Sequence, residues 1–188
     1  MTCHSYHALR RAVAVLDREQ VPWVIIGKGS NLLVADGGYR GAVISLGREF
    51  QRTVVADDGC TLTVGAGVMF ARLVNDALSR SLSGLEFAVG IPGSVGGAIS
   101  MNAGTRTEWI GSLVEDVVTF DPVSGDPRHL LAIEHRHGAA KGMIAMARHK
   151  EVGLAADTIT RMTRKALVLD HIRVDHARER HDGVKQTH

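Results

Sequence analysis

The chain has 188 residues, 45% hydrophobic and 22% charged, with a net charge of +2, enough for one sizeable core or two small lobes sharing one. So small a charge argues against a nucleic-acid or anionic-membrane partner. Two distant cysteines, Cys3 and Cys60, form no CxxC pair and suit a reducing cytoplasm better than a disulfide framework.

Taken in chain order, residues 6–20 predict an amphipathic helix, with Leu9, Ala12, Val13 and Leu16 on one stripe. Asp17 and Glu19 follow AVAVL (12–16) too closely for a signal peptide, and no apolar run approaches the ~20 residues of a membrane span. Pro22 ends the helix, and WVII (23–26) reads as a buried strand. GKGSN interrupts, LLV resumes the extended run, and AVISL (42–46) is a further strand. RTVVA (52–56) and TLTVG (61–65) flank DDGC as a hairpin. Phe70, Leu73, Val74, Ala77 and Leu78 mark a second helix, and residues 113–120 a strand closed by the turn PVSGD, with RHLLAI available to pair back. Weak patterns at 139–150 and 154–169 read as helical. Short, hairpin-like strands after residue 50 predict a mixed sheet in an α/β or α+β fold.

Composition breaks near residue 120. All eight aromatic residues lie at or before Phe120, whereas eight of ten histidines lie at or after His129. A tail without Phe, Tyr or Trp has few bulky groups with which to anchor a core. Its histidines, including His135, His137, His176 and His181, lack the converging partners of a metal site, so no metal is expected. The basic residues of 161–180 alternate with Asp170, Asp175 and Glu179, the pattern of a solvated helix face.

Two glycine-rich segments carry the chemistry. GKGSN (27–31) follows a strand directly, and consecutive main-chain amides in such a turn can converge on a phosphate. It is neither a Walker A loop nor a Rossmann fingerprint, since the glycine spacings do not match. A surface turn is the plain alternative. GIPGSVGGA (90–98) places glycines at 90, 93, 96 and 97 around Pro92, which suits either a flat or anionic ligand lying on bare backbone or a close chain crossing. Asn102, just beyond, is a short amide able to pin a ring nitrogen or carbonyl. Trp23 and Trp109 suit either a stack on a flat ligand or the core. Cys60 has no adjacent base to activate it.

GKGSNLLVADGGYRGAVISL followed by GLEFAVGIPGSVGGAISMNAG resembles the FAD-binding region of the UDP-N-acetylenolpyruvoylglucosamine reductase (UDP-N-acetylmuramate dehydrogenase) family, over about residues 21–122. The resemblance implies a two-subdomain FAD-binding fold of the PCMH type in an FAD-binding lobe at 1–122, with a divergent, helical tail at 123–188. It assigns FAD contacts to Gly27, Lys28, Gly29, Ser30, Asn31 and Leu32, and to Gly90, Ile91, Pro92, Gly93, Ser94, Val95, Gly96, Gly97 and Ala98, with Asn102 and Gly104 as neighbours. It also implies a cytoplasmic oxidoreductase of peptidoglycan precursor synthesis that uses NADPH as co-substrate and a UDP-sugar as substrate.

Family members stabilise the reaction with a serine proton donor, an arginine in a Tyr-Arg-x-Ser motif and a glutamate. Arg136, in AIEHRHGAAKG, has neither the tyrosine before it nor the serine two residues beyond, and no phenylalanine follows residue 120 to carry a Gly-Ser-x-Phe segment. No catalytic residue is assigned. MTCHSYHALRR leaves no room for the family's opening strand pair, so the lobe is expected to be incomplete and the chain impaired. A non-catalytic flavin-binding module or pseudoenzyme is the alternative. Strand edges left unpaired would favour self-association.

Overall fold

The computed structural model describes residues 1–120 and the backbone of two further strands, at 127–131 and 167–174. The chain begins with β1 (Thr2–Cys3), α1 (Tyr6–Arg18), β2 (Trp23–Ile26) and β3 (Ala42–Leu46). β1 and β2 both pair in parallel with β3, giving the order β1-β3-β2. Parallel strands need a crossover, and α1 supplies it. Ser5 caps α1 by accepting from the Ala8 amide at 3.1 Å, and Glu49 Oε2 accepts from the Tyr6 amide at 2.9 Å. Leu9 and Val13 bury the helix stripe against Trp23, Ile44 and Phe50. Trp23 is fully buried and its indole N–H donates to Asp17 Oδ1 at 2.8 Å, so it is a core residue rather than a flavin platform.

The second layer is an antiparallel sheet of β4 (Thr53–Val55), β5 (Leu62–Val64), β6 (Val114–Phe120), β7 (Pro127–Leu131) and β8 (Leu167–Val174). Its order is β4-β5-β8-β6-β7. The β4–β5 hairpin and the return of β7 onto β6 follow the sequence expectation. Helices α2 (Phe70–Ser79) and α3 (Val95–Ser100) share a core with this sheet, built from Leu62, Val64, Phe70, Leu73, Ile99 and Val117 among others. Phe120, the last residue of β6, packs in the first core, where it meets Tyr6 edge to face at 5.9 Å between ring centroids. The chain's last aromatic residue thus ties the two layers together.

Three expectations change. Parallel and antiparallel pairing are segregated into two sheets instead of mixed in one. LLV (32–34) forms no strand, and Leu33 is 96% exposed. The helical reading of 154–169 fails at its end, where Leu167–Val174 is a strand between β5 and β6. Its run of Leu, Val and Ile is β-favouring, and pairing on both sides decides the matter. The remaining tail expectations, including the helix at 139–150, Arg136 and most of the histidines, lie outside the described residues.

The three α-helices among the described residues end in one device. The residue after each cap is left-handed, namely Gln20 (φ 53°), Ser81 (φ 59°) and Asn102 (φ 47°). In each case the next amide reaches back to the carbonyl five residues earlier: Val21 to Leu16 at 2.8 Å, Leu82 to Ala77 at 3.0 Å and Ala103 to Ala98 at 2.7 Å. This is the Schellman arrangement, which glycine fills without a Cβ penalty. Ser81→Gly is therefore expected to stabilise the protein by about 1 kcal/mol, seen as a higher urea midpoint with unchanged slope. An unchanged or lower midpoint would contradict the geometry.

Burial pushes the Cys3 thiol upward, partly offset by the positive N-terminus. A raised folded pKa means that this contribution to stability is complete below the ordinary thiol range and is lost as pH rises through the folded value. Unfolding free energy is expected to fall above about pH 9, and less steeply in Cys3→Ala. Equal slopes in the two proteins would remove Cys3 from the account.

Candidate functional site

The first glycine loop leaves the carboxyl end of β2, the end of a parallel strand at which α/β sheets expose ligand-binding connections. Residues 27–41 are all exposed. The amides of Lys28, Gly29, Ser30 and Asn31 carry no hydrogen bond to another described residue. Lys28 is the first lysine in the chain, followed next by Lys141, and it makes no ion pair among the described residues. The loop therefore offers a short row of free donors and one fixed positive charge. That is the donor set a diphosphate requires.

The second loop is held at both ends. The Phe70 amide donates to the Gly93 carbonyl at 3.0 Å and the Val95 amide to the Val68 carbonyl at 2.9 Å, pinning the segment to the entry of α2. Ser94, only 5% exposed, caps α3 by accepting from the Gly97 amide at 3.3 Å. Gly93 adopts φ 118°, where only glycine is comfortable.

The two loops touch. A Cβ on Gly27 would collide with Ser94 Oγ and lie 3.2 Å from Ser94 Cβ. A Cβ on Gly93 would lie 3.1 Å from Ser30 Oγ. Each loop thus lays its serine on the other's glycine, and the segments that the sequence singled out separately are one surface. Elsewhere on that surface, a Cβ on Gly29 or Gly90 would meet nothing within 4 Å, so the space above both is open.

The structure sorts the remaining candidates. Gly90, Gly93 and Ser94 keep amides without partners among the described residues, beside Ile91, which is tied to Ala88, and Pro92. The amides of Val95, Gly96, Gly97 and Ala98 are already engaged, by Val68, Ala66, Ser94 Oγ and Ser94 respectively. Those four residues supply close packing instead of donors. Gly96 lies against Ala66, where a Cβ would approach to 2.8 Å of Ala66 Cβ. The turn Gly65-Ala66-Gly67, which the sequence reading placed only as the end of a hairpin, is thereby the floor under α3. Its two glycines within three residues were the available signal. Leu32, Leu33 and Val34 form an exposed apolar strip beside the first loop.

Asn102 is the left-handed residue that closes α3, and its Oδ1 accepts from the Gly111 amide at 3.2 Å. Gly104 bridges to Trp109 in a tight return where a Cβ would strike the Glu108 carbonyl. Trp109 itself is half-buried in this turn. No group of three or more His, Cys, Asp or Glu able to hold a metal occurs among the described residues.

Residues 1–129 match the family model described as an FAD binding domain. The chain belongs to the FAD binding domain family. FAD is thus the cofactor, and the expected two-subdomain α+β fold holds. Among curated relatives, the chain is 42% identical to UDP-N-acetylenolpyruvoylglucosamine reductase of Desulfosudis oleivorans over 125 residues, 65% of this chain and 39% of that protein. It is 48% identical to the Bacillus subtilis enzyme of the same name over 102 residues, 54% of this chain and 33% of that protein. The solved reductase from Thermus caldophilus superposes with TM-score 0.61 at 31% identity, covering 94% of this chain and 53% of that one. An alkyldihydroxyacetonephosphate synthase superposes equally well, TM-score 0.61, at 15% identity, so there the fold alone is shared. The chain spans about a third of the length of these curated reductases.

FAD fits what the two loops offer. Its diphosphate needs unengaged amides and positive charge, and its flat ring needs backbone without side chains; Lys28–Asn31, Gly90, Gly93 and Ser94 provide both. No helix among the described residues is long and apolar enough to cross a membrane.

Because Asn102 has a structural task, Asn102→Gly is expected to leave FAD affinity within about threefold while lowering the melting temperature, since Asn tolerates the left-handed region better than Ser and the small backbone relief does not offset the lost hydrogen bond to Gly111. A tenfold loss of affinity without change in melting temperature would instead place the carboxamide on the cofactor.

Proposed function

We propose that residues 27–32 and 90–94 hold FAD between them, and that the chain is the flavin-binding unit of a reductase acting on a UDP-linked enolpyruvyl sugar with NADPH in cytoplasmic peptidoglycan precursor synthesis. The observation that carries the reading is the mutual contact of the two loops, with Ser94 on Gly27 and Ser30 on Gly93. Two unrelated turns would have no reason to share an open, donor-rich face. Identity to named reductases at 42% and 48% supports the substrate class.

The division of labour follows from the residues. Bound FAD would supply hydride transfer, chemistry that no side chain of this region can perform. The amides of Lys28–Asn31 and the Lys28 ammonium would neutralise the diphosphate. The stiff segment from Gly90 to Ser94, fixed to α2 and α3, would orient the ring and keep side chains out of its path.

A second reading, a flavin-binding module without turnover, is favoured by one sequence observation. Arg136 stands without the tyrosine and serine of the family's Tyr-Arg-x-Ser motif, and no phenylalanine follows residue 120 to carry the Gly-Ser-x-Phe segment of the proton-donor serine. General-acid catalysis commonly contributes about 10²–10⁴-fold, so these 188 residues by themselves would bind cofactor yet turn over slowly.

The 188-residue protein is expected to leave gel filtration with an absorbance band near 450 nm (roughly the flavin maximum) after addition of FAD, and to consume NADPH only slowly with the enolpyruvyl sugar. Lys28→Met is expected to weaken FAD binding by about tenfold and to flatten its salt dependence. Elution of colourless protein would overturn the FAD assignment. Turnover at about 10 s⁻¹, the typical enzyme rate, would overturn the module reading.

A further inference from the structure

We propose that Ser94 is a positioning residue: its side chain, seated on the bare Cα of Gly27, sets the spacing of the two glycine loops and thereby the affinity for FAD. The inference rests on the placement of FAD between those loops. It goes further by assigning glycine at position 27 to contact with another loop and not to contact with the cofactor.

Three observations single out this pair. Gly27 is absent from the residues with positive φ, so alanine is permitted by the backbone there and its cost would come from collision alone. Gly93, the partner in the reciprocal contact, has φ 118° and would be strained by any side chain, so it cannot isolate the contact. The atom facing Gly27 is Ser94 Oγ, the same oxygen that accepts from the Gly97 amide. A methyl group at position 27 would therefore push Ser94 off the start of α3 and shift the second loop with it. The open positions above Gly29 and Gly90 have no such neighbour.

Glycine is nearly as good an N-cap as serine, so Ser94→Gly should fold, and it removes the two atoms nearest a new Cβ, leaving Ser94 N in ordinary contact at 3.9 Å. The test is a double-mutant cycle of Gly27→Ala and Ser94→Gly, read as FAD affinity by fluorescence titration and as apo melting temperature. Gly27→Ala is expected to lose at least tenfold in FAD affinity with Ser94 present, and less than about threefold in the Ser94→Gly background. Equal losses in the two backgrounds would overturn the proposal. So would coupling confined to the melting temperature with affinity unchanged, since that describes a packing contact only. Should Gly27→Ala fail to fold, recovery of folding and FAD binding in the double variant supports the contact, and failure of both variants refutes it.

Lys28→Met separates the inference from the reading beneath it. If FAD binds but neither Lys28→Met nor Gly27→Ala changes its affinity, FAD lies elsewhere and both fall. If Lys28→Met weakens binding while the cycle is additive, the site stands and the role of Ser94 falls.

Discussion

The arrangement depends on a contact in which one loop's serine occupies the space left by the other's missing side chain. Gly27 directly follows β2 of the parallel sheet; Ser94 caps the start of α3, which packs on the antiparallel one. Neither loop has a long hydrogen-bonded ladder of its own. What holds them is attachment to elements with separate cores: Trp23 and α1 on one side, Phe70, Ile99 and Val117 on the other. Close packing of backbone against a hydroxyl lets two independently anchored segments meet without filling the space above them. Glycine's entropic penalty is accepted where the alternative is a side chain inside the site.

Glycine here serves several physical ends that a sequence pattern merges. Gly29, Gly90 and Gly93 all take positive φ, Gly27 and Gly96 answer a neighbour's approach, and Gly29 and Gly90 also border open space. The sequence left the whole of 90–98 as either a bare-backbone wall for a ligand or a close chain crossing. The structure divides it after Ser94, because the amides of 95–98 close α3 and tie it to Ala66 and Val68. Donors free for a ligand come from the shorter stretch before the helix and from Lys28–Asn31.

Much of the fold was legible because burial and period agreed. WVII and AVISL became strands at the expected residues, and the stripe at Leu9, Val13 and Leu16 became α1. LLV misled because three apolar residues in a row suggest a strand, yet no strand among the described residues pairs with them. The strand at Leu167–Val174 was hidden by an aromatic-poor tail, where pairing with β5 and β6, distant in sequence, overrides a weak local pattern. Asn102 attracted attention as a polar residue beside a glycine loop, and its left-handed backbone angle could not be read from the sequence. That the loops meet is likewise a matter of tertiary placement; the sequence showed two motifs in order, and only the fold brings Ser94 to Gly27.

One spectrum tests most directly whether the two loops share a single ligand: amide shifts of the labelled protein recorded during titration with FAD. Resonances of Lys28, Gly29, Ser30 and Asn31 should move together with those of Gly90, Gly93 and Ser94, along one binding curve. Perturbation of one loop while the other stays still would contradict a shared site.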